Sequence, residues 1–193
     1  DSDSARYFVA TKTTQSGHLL NSDFTTKFNA FTLNIWVKPT SMSNQHFLFG
    51  TFSSWTSHGI GIWRDTSAPT KYGCLVRSDA ESTYSSKGLE GLTLNAWNMT
   101  TLVYTGTSYL GYLNGVNKSN ITYGSSGTVT NNNLMICNSK YNNTPSSENE
   151  DASVSDFRLY ATALSADDIK QLYQVSASID NNGNVFASDI QEV

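Results

Sequence analysis

The sequence has few charged residues and no long apolar segment. Charged side chains make up only 15% of the 193 residues, compared with about 25% in an average soluble domain. The 12 Lys and Arg are outnumbered by 16 Asp and Glu, which leaves a net charge of −4. Nucleic acids and anionic membranes select proteins with a basic face, so this balance argues against both as partners. No apolar run approaches the roughly 18 residues that a membrane span requires, so we expect no membrane insertion.

Cysteine is also scarce, because the chain contains only Cys74 and Cys137. Two cysteines do not make a disulfide framework for a chain of this length. Each lies in a short apolar run, which favours two buried free thiols, since cysteine often behaves as a small hydrophobic residue. A single bridge between them stays an alternative, because pairing depends on where the strands place the two residues.

Small polar residues are abundant instead, with 27 Ser, 22 Thr and 19 Asn. This composition argues against coiled coils, helical bundles and most nucleotide-binding α/β enzymes. We therefore expect an all-β protein that works outside the cell or on a virion surface.

Short apolar segments with period-two alternation recur along the chain and predict strands. In the segment FTLNIWV, Phe31 and Ile35 fall on one face and Trp36 on the other. A Trp on the second face indicates that both faces are covered, as in a two-sheet antiparallel sandwich. The predicted strands are Phe31–Lys38, His46–Thr51, Gly59–Arg64, Tyr72–Arg77, Trp97–Tyr104, Ser108–Leu113, Leu134–Asn138 and Val154–Tyr160.

Two local signals predict a hairpin and a helix. Asn114-Gly115 is typical of a type I′ turn, which needs positive φ at both central residues. Ser165 can cap a short helix that ends near Gln174, with acidic residues in its first turn. Ile169, Leu172 and Tyr173 share one face of this helix, which we expect to clip onto the sandwich.

The chain divides at the end of this helix. Residues 1–175 are predicted to form one domain. Residues 176–193 read as a strand, a turn at Asp180–Gly183 and a second strand. We expect this C-terminal, hairpin-like extension to lead into a following domain or a partner chain, and a homo-oligomer formed through it is one alternative.

Three sequence blocks resemble the laminin G-like group of concanavalin A-like lectin/glucanase jelly rolls. They are FTLNIWVKPTS from Phe31, LNAWNMTTLVYTGTSYLGYLNGV from Leu94, and VSDFRLYATALSADDIKQLYQ from Val154. The matching residues are Trp36, Lys38 and Pro39; Trp97, Tyr112, Asn114 and Gly115; and Asp156, Arg158, Tyr160, Ala163, Leu164, Ser165, Asp168 and Ile169. The resemblance implies an all-β, two-sheet antiparallel jelly-roll sandwich with one short C-terminal helix.

The resemblance also implies a calcium site and a biological setting. Many members of the group hold a structural calcium with the Asp that matches Asp156, and the alternative is an Asp satisfied by backbone N–H groups. The family's Phe-Asp-Gly near the first strand is missing, since Tyr7–Thr11 reads YFVAT. No cofactor is certain, and Ca²⁺ at Asp156 is the candidate. The C-terminal NGNV is similar to the segment that follows receptor-binding modules of bacteriophage tail fibres.

The sequence does not favour catalysis. Glucanases of this fold need closely spaced carboxylates on one strand. The acidic cluster Glu148, Glu150 and Asp151 lies in a Ser/Asn-rich loop instead and lacks the E-x-D-x-x-E spacing. No paired His motif and no G-x-S-x-G elbow occurs. We therefore expect no enzymatic activity.

Sugar binding needs an aromatic face for the C–H side of the ring and polar groups for its hydroxyls. Residues 55–65 and the stretch around residue 84 supply both types. The predicted ligand-binding residues are Trp55, His58, Trp63, Arg64, Asp65 and Tyr84. Within GIGIW, Ile60 and Ile62 point one way, while Gly59, Gly61 and Trp63 point the other. Two glycines beside one Trp leave a shallow, backbone-lined floor. The alternative is that Trp63 only packs against the neighbouring strand.

These observations predict a non-catalytic, lectin-like module of a surface or virion protein that binds a carbohydrate, such as a bacterial cell-surface glycan. The alternative is a structural, assembly or protein-binding domain of a phage tail or decoration protein with no sugar site.

Overall fold

The computed structural model describes residues 8–10, 18–21, 27–40, 46–50, 59–64, 71–77, 85–122, 129–130, 134–136, 140–141, 144–145, 152–176, 178–179 and 185–186. The first nine strands are Phe8–Ala10 (β1), His18–Asn21 (β2), Lys27–Phe28 (β3), Phe31–Pro39 (β4), His46–Gly50 (β5), Gly59–Arg64 (β6), Lys71–Arg77 (β7), Ser85–Glu90 (β8) and Asn98–Tyr104 (β9). The next are Ser108–Leu113 (β10), Val116–Thr122 (β11), Val129–Thr130 (β12), Leu134–Ile136 (β13), Lys140–Tyr141 (β14), Thr144–Pro145 (β15) and Ala152–Tyr160 (β16). The helix Ala166–Ser176 (α1) and the strands Ser178–Ile179 (β17) and Val185–Phe186 (β18) follow.

Two six-stranded antiparallel sheets form the body of the fold. The first has the order β1-β16-β4-β9-β10-β11, and the second the order β2-β13-β5-β6-β7-β8. Strand β16 returns from late in the chain to pair with β4, and β13 likewise lies between β2 and β5. Both sheets therefore combine early and late strands. The predicted jelly-roll sandwich with one short helix is confirmed.

The main core lies between the two sheets. Phe31, Leu33, Ile35 and Val37 of β4 are fully buried there, as their alternation predicts. Phe49 of the second sheet meets Phe157 of the first edge-to-face, with ring centroids 6.4 Å apart. Aromatic pairs of this geometry add to the area that they bury, so this contact helps to hold the sheets together.

A second apolar cluster covers the outer face of the first sheet. Trp36 points away from the main core and stacks on Tyr173 of α1, with ring centroids 5.8 Å apart and an interplanar angle of 16°. Ile169 of the helix is fully buried in the same cluster. Helix α1 therefore packs on the sheet as a cover, and both faces of β4 are buried.

The hairpin between β10 and β11 has the predicted turn. Asn114 has a φ of 51° and Gly115 a φ of 76°, as a type I′ turn requires. The side-chain Oδ1 of Asn114 accepts a hydrogen bond of 2.8 Å from the backbone N–H of Met99. The turn is thereby tied to the neighbouring strand β9.

A reciprocal capping box opens α1. The Ser165 hydroxyl accepts from the Asp168 backbone N–H at 3.2 Å, while Asp168 Oδ2 accepts from the Ser165 N–H at 2.9 Å. The Ser165 hydroxyl also donates to the same carboxylate oxygen at 2.6 Å. These bonds to the charged carboxylate, first from the side chain and then from the backbone of Ser165, lower the pKa of Asp168.

The capping box predicts an acid-dependent loss of stability. Because the pKa of Asp168 is lower in the folded state, its stabilising contribution is present above the unfolded-state pKa and is lost as the pH falls through the folded-state pKa. We expect Asp168→Asn to lose less free energy of unfolding than the parent protein between pH 7 and pH 3, in urea titrations. Ser165→Ala should cost about 1 kcal/mol at pH 7.

The matched control is Asp167→Asn, which removes a carboxylate one residue away from the box. It keeps the hydrogen bonds between Ser165 and Asp168, so it should lose more free energy of unfolding on acidification than Asp168→Asn does. An equal acid dependence in Asp168→Asn and in the parent would contradict the role of the box.

The C-terminal extension contains two short strands, β17 and β18, which pair antiparallel with Ile179 opposite Val185. The domain boundary at residue 175 and the link to a following domain stay predictions. Cys137 and the acidic cluster of Glu148, Glu150 and Asp151 lie outside the described residues.

Candidate functional site

Of the six predicted sugar-binding residues, the structure describes two. Trp63 and Arg64 are the last two residues of β6. Only the backbone of Arg64 is described. Trp55, His58, Asp65 and Tyr84 lie outside the described residues, so their part in a site stays a prediction.

Trp63 lies on the outer face of the second sheet. Its neighbour Ile62 is fully buried in the core between the sheets. Successive strand residues point to opposite faces, so Trp63 faces away from that core. Trp63 is only 7% exposed, so its ring is not an open platform for a sugar.

Glycines line this outer face beside Trp63. In the sheet register, Trp63 is opposite Gly73 of β7, and Gly73 is opposite Gly88 of β8. Directly opposed residues of an antiparallel pair share a face. Gly59 and Gly61, the glycines of the predicted floor on β6, lie on the same face but are buried. Both Gly73 and Gly88 are half-buried, so solvent reaches the strip of backbone that they leave.

The strip is long enough to hold more than one group of a ligand. Neighbouring strands lie about 4.8 Å apart, so the row from Trp63 to Gly88 covers roughly 10 Å. In the next row on this face, Lys71 is opposite Glu90. Glu90 is exposed, and a carboxylate at this position is a hydrogen-bond acceptor for hydroxyl groups. The end of the strip is therefore polar.

Gly73, Gly88 and Glu90 were not predictable as parts of the site. The sequence signal was present, since a single Gly inside a strand pattern often marks a close approach of backbone or ligand. The missing information was the register between β6, β7 and β8, because no local pattern states which residues are opposite one another. Strand β8 also has Leu89 as its one large apolar residue in SSKGLE, too little alternation to predict it.

Asp156 lies in a bulge of β16, on the first sheet. Its φ is 49°, a left-handed conformation that Asp tolerates better than most residues. Its Oδ1 accepts from Nε of Arg158 at 2.6 Å. Burial lowers the pKa of Arg158, but hydrogen bonds and charge attraction from Asp156 and Tyr160 outweigh it and raise that pKa.

The surroundings of Asp156 do not by themselves fit a calcium ion. Ca²⁺ takes six to eight oxygen ligands, yet within the described ranges no group of three or more His, Cys, Asp or Glu side chains converges on one point. The guanidinium of Arg158 already neutralises the carboxylate. The alternative was that backbone N–H groups satisfy the carboxylate of Asp156. Its Oδ1 instead accepts from the Arg158 side chain. Calcium at Asp156 stays a prediction.

The two antiparallel sheets and the helix define a jelly-roll sandwich of the concanavalin A-like type. The model of the concanavalin A-like lectin/glucanase superfamily in its laminin G-like form matches residues 12–170, well over half of the chain. The chain therefore belongs to this family, and the resemblance of the three sequence blocks is confirmed. A search of the curated proteins finds no match.

Solved structures of the same fold include binding modules at low sequence identity. The IT-sialidase CBM40 of Ruminococcus gnavus, bound to alpha2,3 sialyllactose, is 13% identical with a TM-score of 0.68, over 81% of this chain and 91% of that one. The binding domain of botulinum neurotoxin serotype G is 14% identical with a TM-score of 0.62, over 81% of this chain and 40% of that one.

A third similar structure is the native heptameric SAP-like pentraxin of Limulus polyphemus. It is 16% identical with a TM-score of 0.56, over 78% of this chain and 73% of that one. At these identities the likenesses establish the fold. Among the described residues, no helix is both long and apolar enough to cross a membrane.

Proposed function

We propose that this chain is a non-catalytic carbohydrate-binding module of an extracellular or virion-surface protein, and that the sugar lies on the outer face of the second sheet over Gly73 and Gly88. The observation that carries the proposal is the register that places two half-buried glycines in line with Trp63. Glycines in a row leave a flat strip of backbone that a larger side chain would fill.

The chemistry of the strip suits the edge of a sugar. A pyranose has an apolar C–H side that packs on flat surfaces and hydroxyls that need polar partners. The glycine strip supplies the flat surface, Trp63 an aromatic neighbour beside it, and Glu90 an acceptor at the polar end. The low fraction of charged residues, 15%, agrees with a neutral or weakly charged ligand.

The comparisons support the class of ligand without identifying the sugar. The CBM40 module of similar fold binds sialyllactose, and the similar neurotoxin domain is a binding domain. A bacterial cell-surface glycan is the ligand that a phage tail fibre would require, the setting to which the resemblance of the C-terminal NGNV points. Trp55, His58, Asp65 and Tyr84 stay predicted contributors to the same site.

A glycan array tests the proposal with two variants of matched chemistry. Gly73→Val places a branched side chain on the strip, and we expect it to abolish binding of whichever glycan the parent protein retains. Ser153→Val is the control, because it adds the same side chain to a half-buried strand position of the other sheet. Circular dichroism and thermal unfolding confirm that both variants are folded.

Two results would contradict the proposal. One is an array without binding to the parent protein, in buffers with calcium and with EDTA, which favours the assembly or protein-binding role. The other is unchanged binding by folded Gly73→Val, which places the sugar elsewhere.

A further inference from the structure

The outer face of the first sheet contains a buried polar patch where the bulge of β16 meets β4. Ser155 is opposite Trp36, and Arg158 is opposite Asn34, with the register shifted between them by the bulge. Asp156 is the residue of the bulge in left-handed conformation. Strained backbone conformations persist where the surrounding structure holds them, often because they position a particular group.

Three buried polar atoms in this patch have no protein partner among the described residues. They are Nδ2 of Asn34, Nε1 of Trp36 and Oδ2 of Asp156. Asn34 is fully buried and Trp36 is 3% exposed. Buried polar groups are nearly always hydrogen-bonded, to protein or to ordered water, so each such atom needs an explanation. All three belong to the bulge of β16 or to the β4 positions beside it.

The three residues are neighbours in the register of the sheet. Asn34 and Trp36 are two positions apart on β4, and the hydrogen bond from the Thr101 hydroxyl to Asn34 Oδ1, 2.7 Å, identifies which end of that amide is the donor. The bulge places Asp156 between the strand positions opposite them. Its other carboxylate oxygen is fixed by Arg158 at 2.6 Å, which leaves Oδ2 as the acceptor of the patch.

We infer that this patch binds one structural water molecule, which accepts from Asn34 Nδ2 and Trp36 Nε1 and donates to Asp156 Oδ2. Two N–H donors and one carboxylate acceptor require a ligand that accepts twice and donates once, and water does both within a small volume. A cation is the wrong ligand, because it would face two N–H groups and a carboxylate already paired with a guanidinium.

Helix α1 covers the Trp36 side of the patch, while the side chain of Asp156 is 25% exposed. The stack of Tyr173 on Trp36 covers the indole, so bulk solvent does not reach its Nε1. A water bound there bridges β4 and β16 beneath the helix, and it exchanges slowly. The role of the bulge is then to position Asp156 Oδ2, the one acceptor among the three hydrogen-bond partners of the water.

Water-selective nuclear Overhauser spectra of the full chain test the inference. We expect cross-peaks from a long-lived water to the Trp36 indole N–H and to the Asn34 side-chain amide. The control is the side-chain amide of Asn98, which is 1% exposed but donates to the carbonyls of Thr93 and Ala96. It should give no such cross-peak.

A variant and a titration complete the test. Trp36→Phe keeps an aromatic ring against Tyr173, and it should remove the indole cross-peak while the Asn34 cross-peak remains. Calcium added to the parent protein should leave the indole and Asn34 signals unshifted. Absence of both cross-peaks in the parent protein would overturn the inference. So would a calcium-induced shift of these signals that Asp156→Asn abolishes, because the occupant would then be a cation.

Discussion

Replacing Asn98 by Ala should destabilise the protein by about 2–4 kcal/mol, because one buried amide holds the turn before β9 together. The Asn98 side chain accepts from the Thr93 N–H at 3.1 Å and donates to the carbonyls of Thr93 at 2.9 Å and Ala96 at 2.7 Å. Truncation would remove all three hydrogen bonds at a position that is 1% exposed. Unfolding in urea, followed by tryptophan fluorescence, measures the loss.

Two further variants test whether the lost hydrogen bonds of Asn98 cause this destabilisation. Asn98→Asp keeps the size of the side chain and one acceptor but loses both N–H donors at neutral pH, so it should be destabilised about as much as Asn98→Ala. Asn120→Ala is the control, since Asn120 is exposed on β11, and it should change stability by less than about 0.5 kcal/mol. An equally small effect of Asn98→Ala would contradict the assignment.

Gly115→Ala should cost about 2–3 kcal/mol, because both the backbone and the neighbouring helix oppose a side chain there. The φ of Gly115 is +76°, and a Cβ at this residue would lie 3.1 Å from Cβ and 3.4 Å from ring atoms of Tyr173. The left-handed conformation alone costs an L-residue roughly 1–2 kcal/mol. The remainder of the loss should come from pushing α1 away from the hairpin.

A double-mutant cycle with Tyr173→Ala measures that second part. Removing the ring relieves the contacts at 3.4 Å, so Gly115→Ala should lose less free energy of unfolding in this background than in the parent. Thermal unfolding of the four proteins provides the comparison. Equal losses in both backgrounds would mean that the backbone conformation explains the whole effect and that the helix contact does not contribute.

Local patterns predicted the parts of the fold that depend on neighbouring residues in sequence. The alternation of Phe31 to Val37 predicts a strand with a buried face, and Trp36 predicts a cover on the other face, which α1 provides. Asn114-Gly115 predicts its turn because few residue pairs adopt two successive positive φ values. The helix runs two residues beyond the predicted end, to Ser176, since no glycine or proline stops it.

The features that depend on strand pairing could not be predicted from the sequence. Gly73 and Gly88 join Trp63 only through the register of three strands. The bulge at Asp156 is one extra residue in β16 relative to β4, and the sequence SDFR has no glycine to mark it. The burial of Trp63 likewise depends on what covers the outer face, which alternation along β6 does not determine.

Backbone amide shifts during a glycan titration test the central claim most directly. The glycan is the one retained on the array, and it is added to the ¹⁵N-labelled chain. We predict progressive, saturable shifts at Gly73 and Gly88 and at the indole of Trp63, with Ser153 on the other sheet unchanged. Saturable shifts confined to other residues, such as the edge strand β11, would show that the sugar binds elsewhere and would contradict the proposed face.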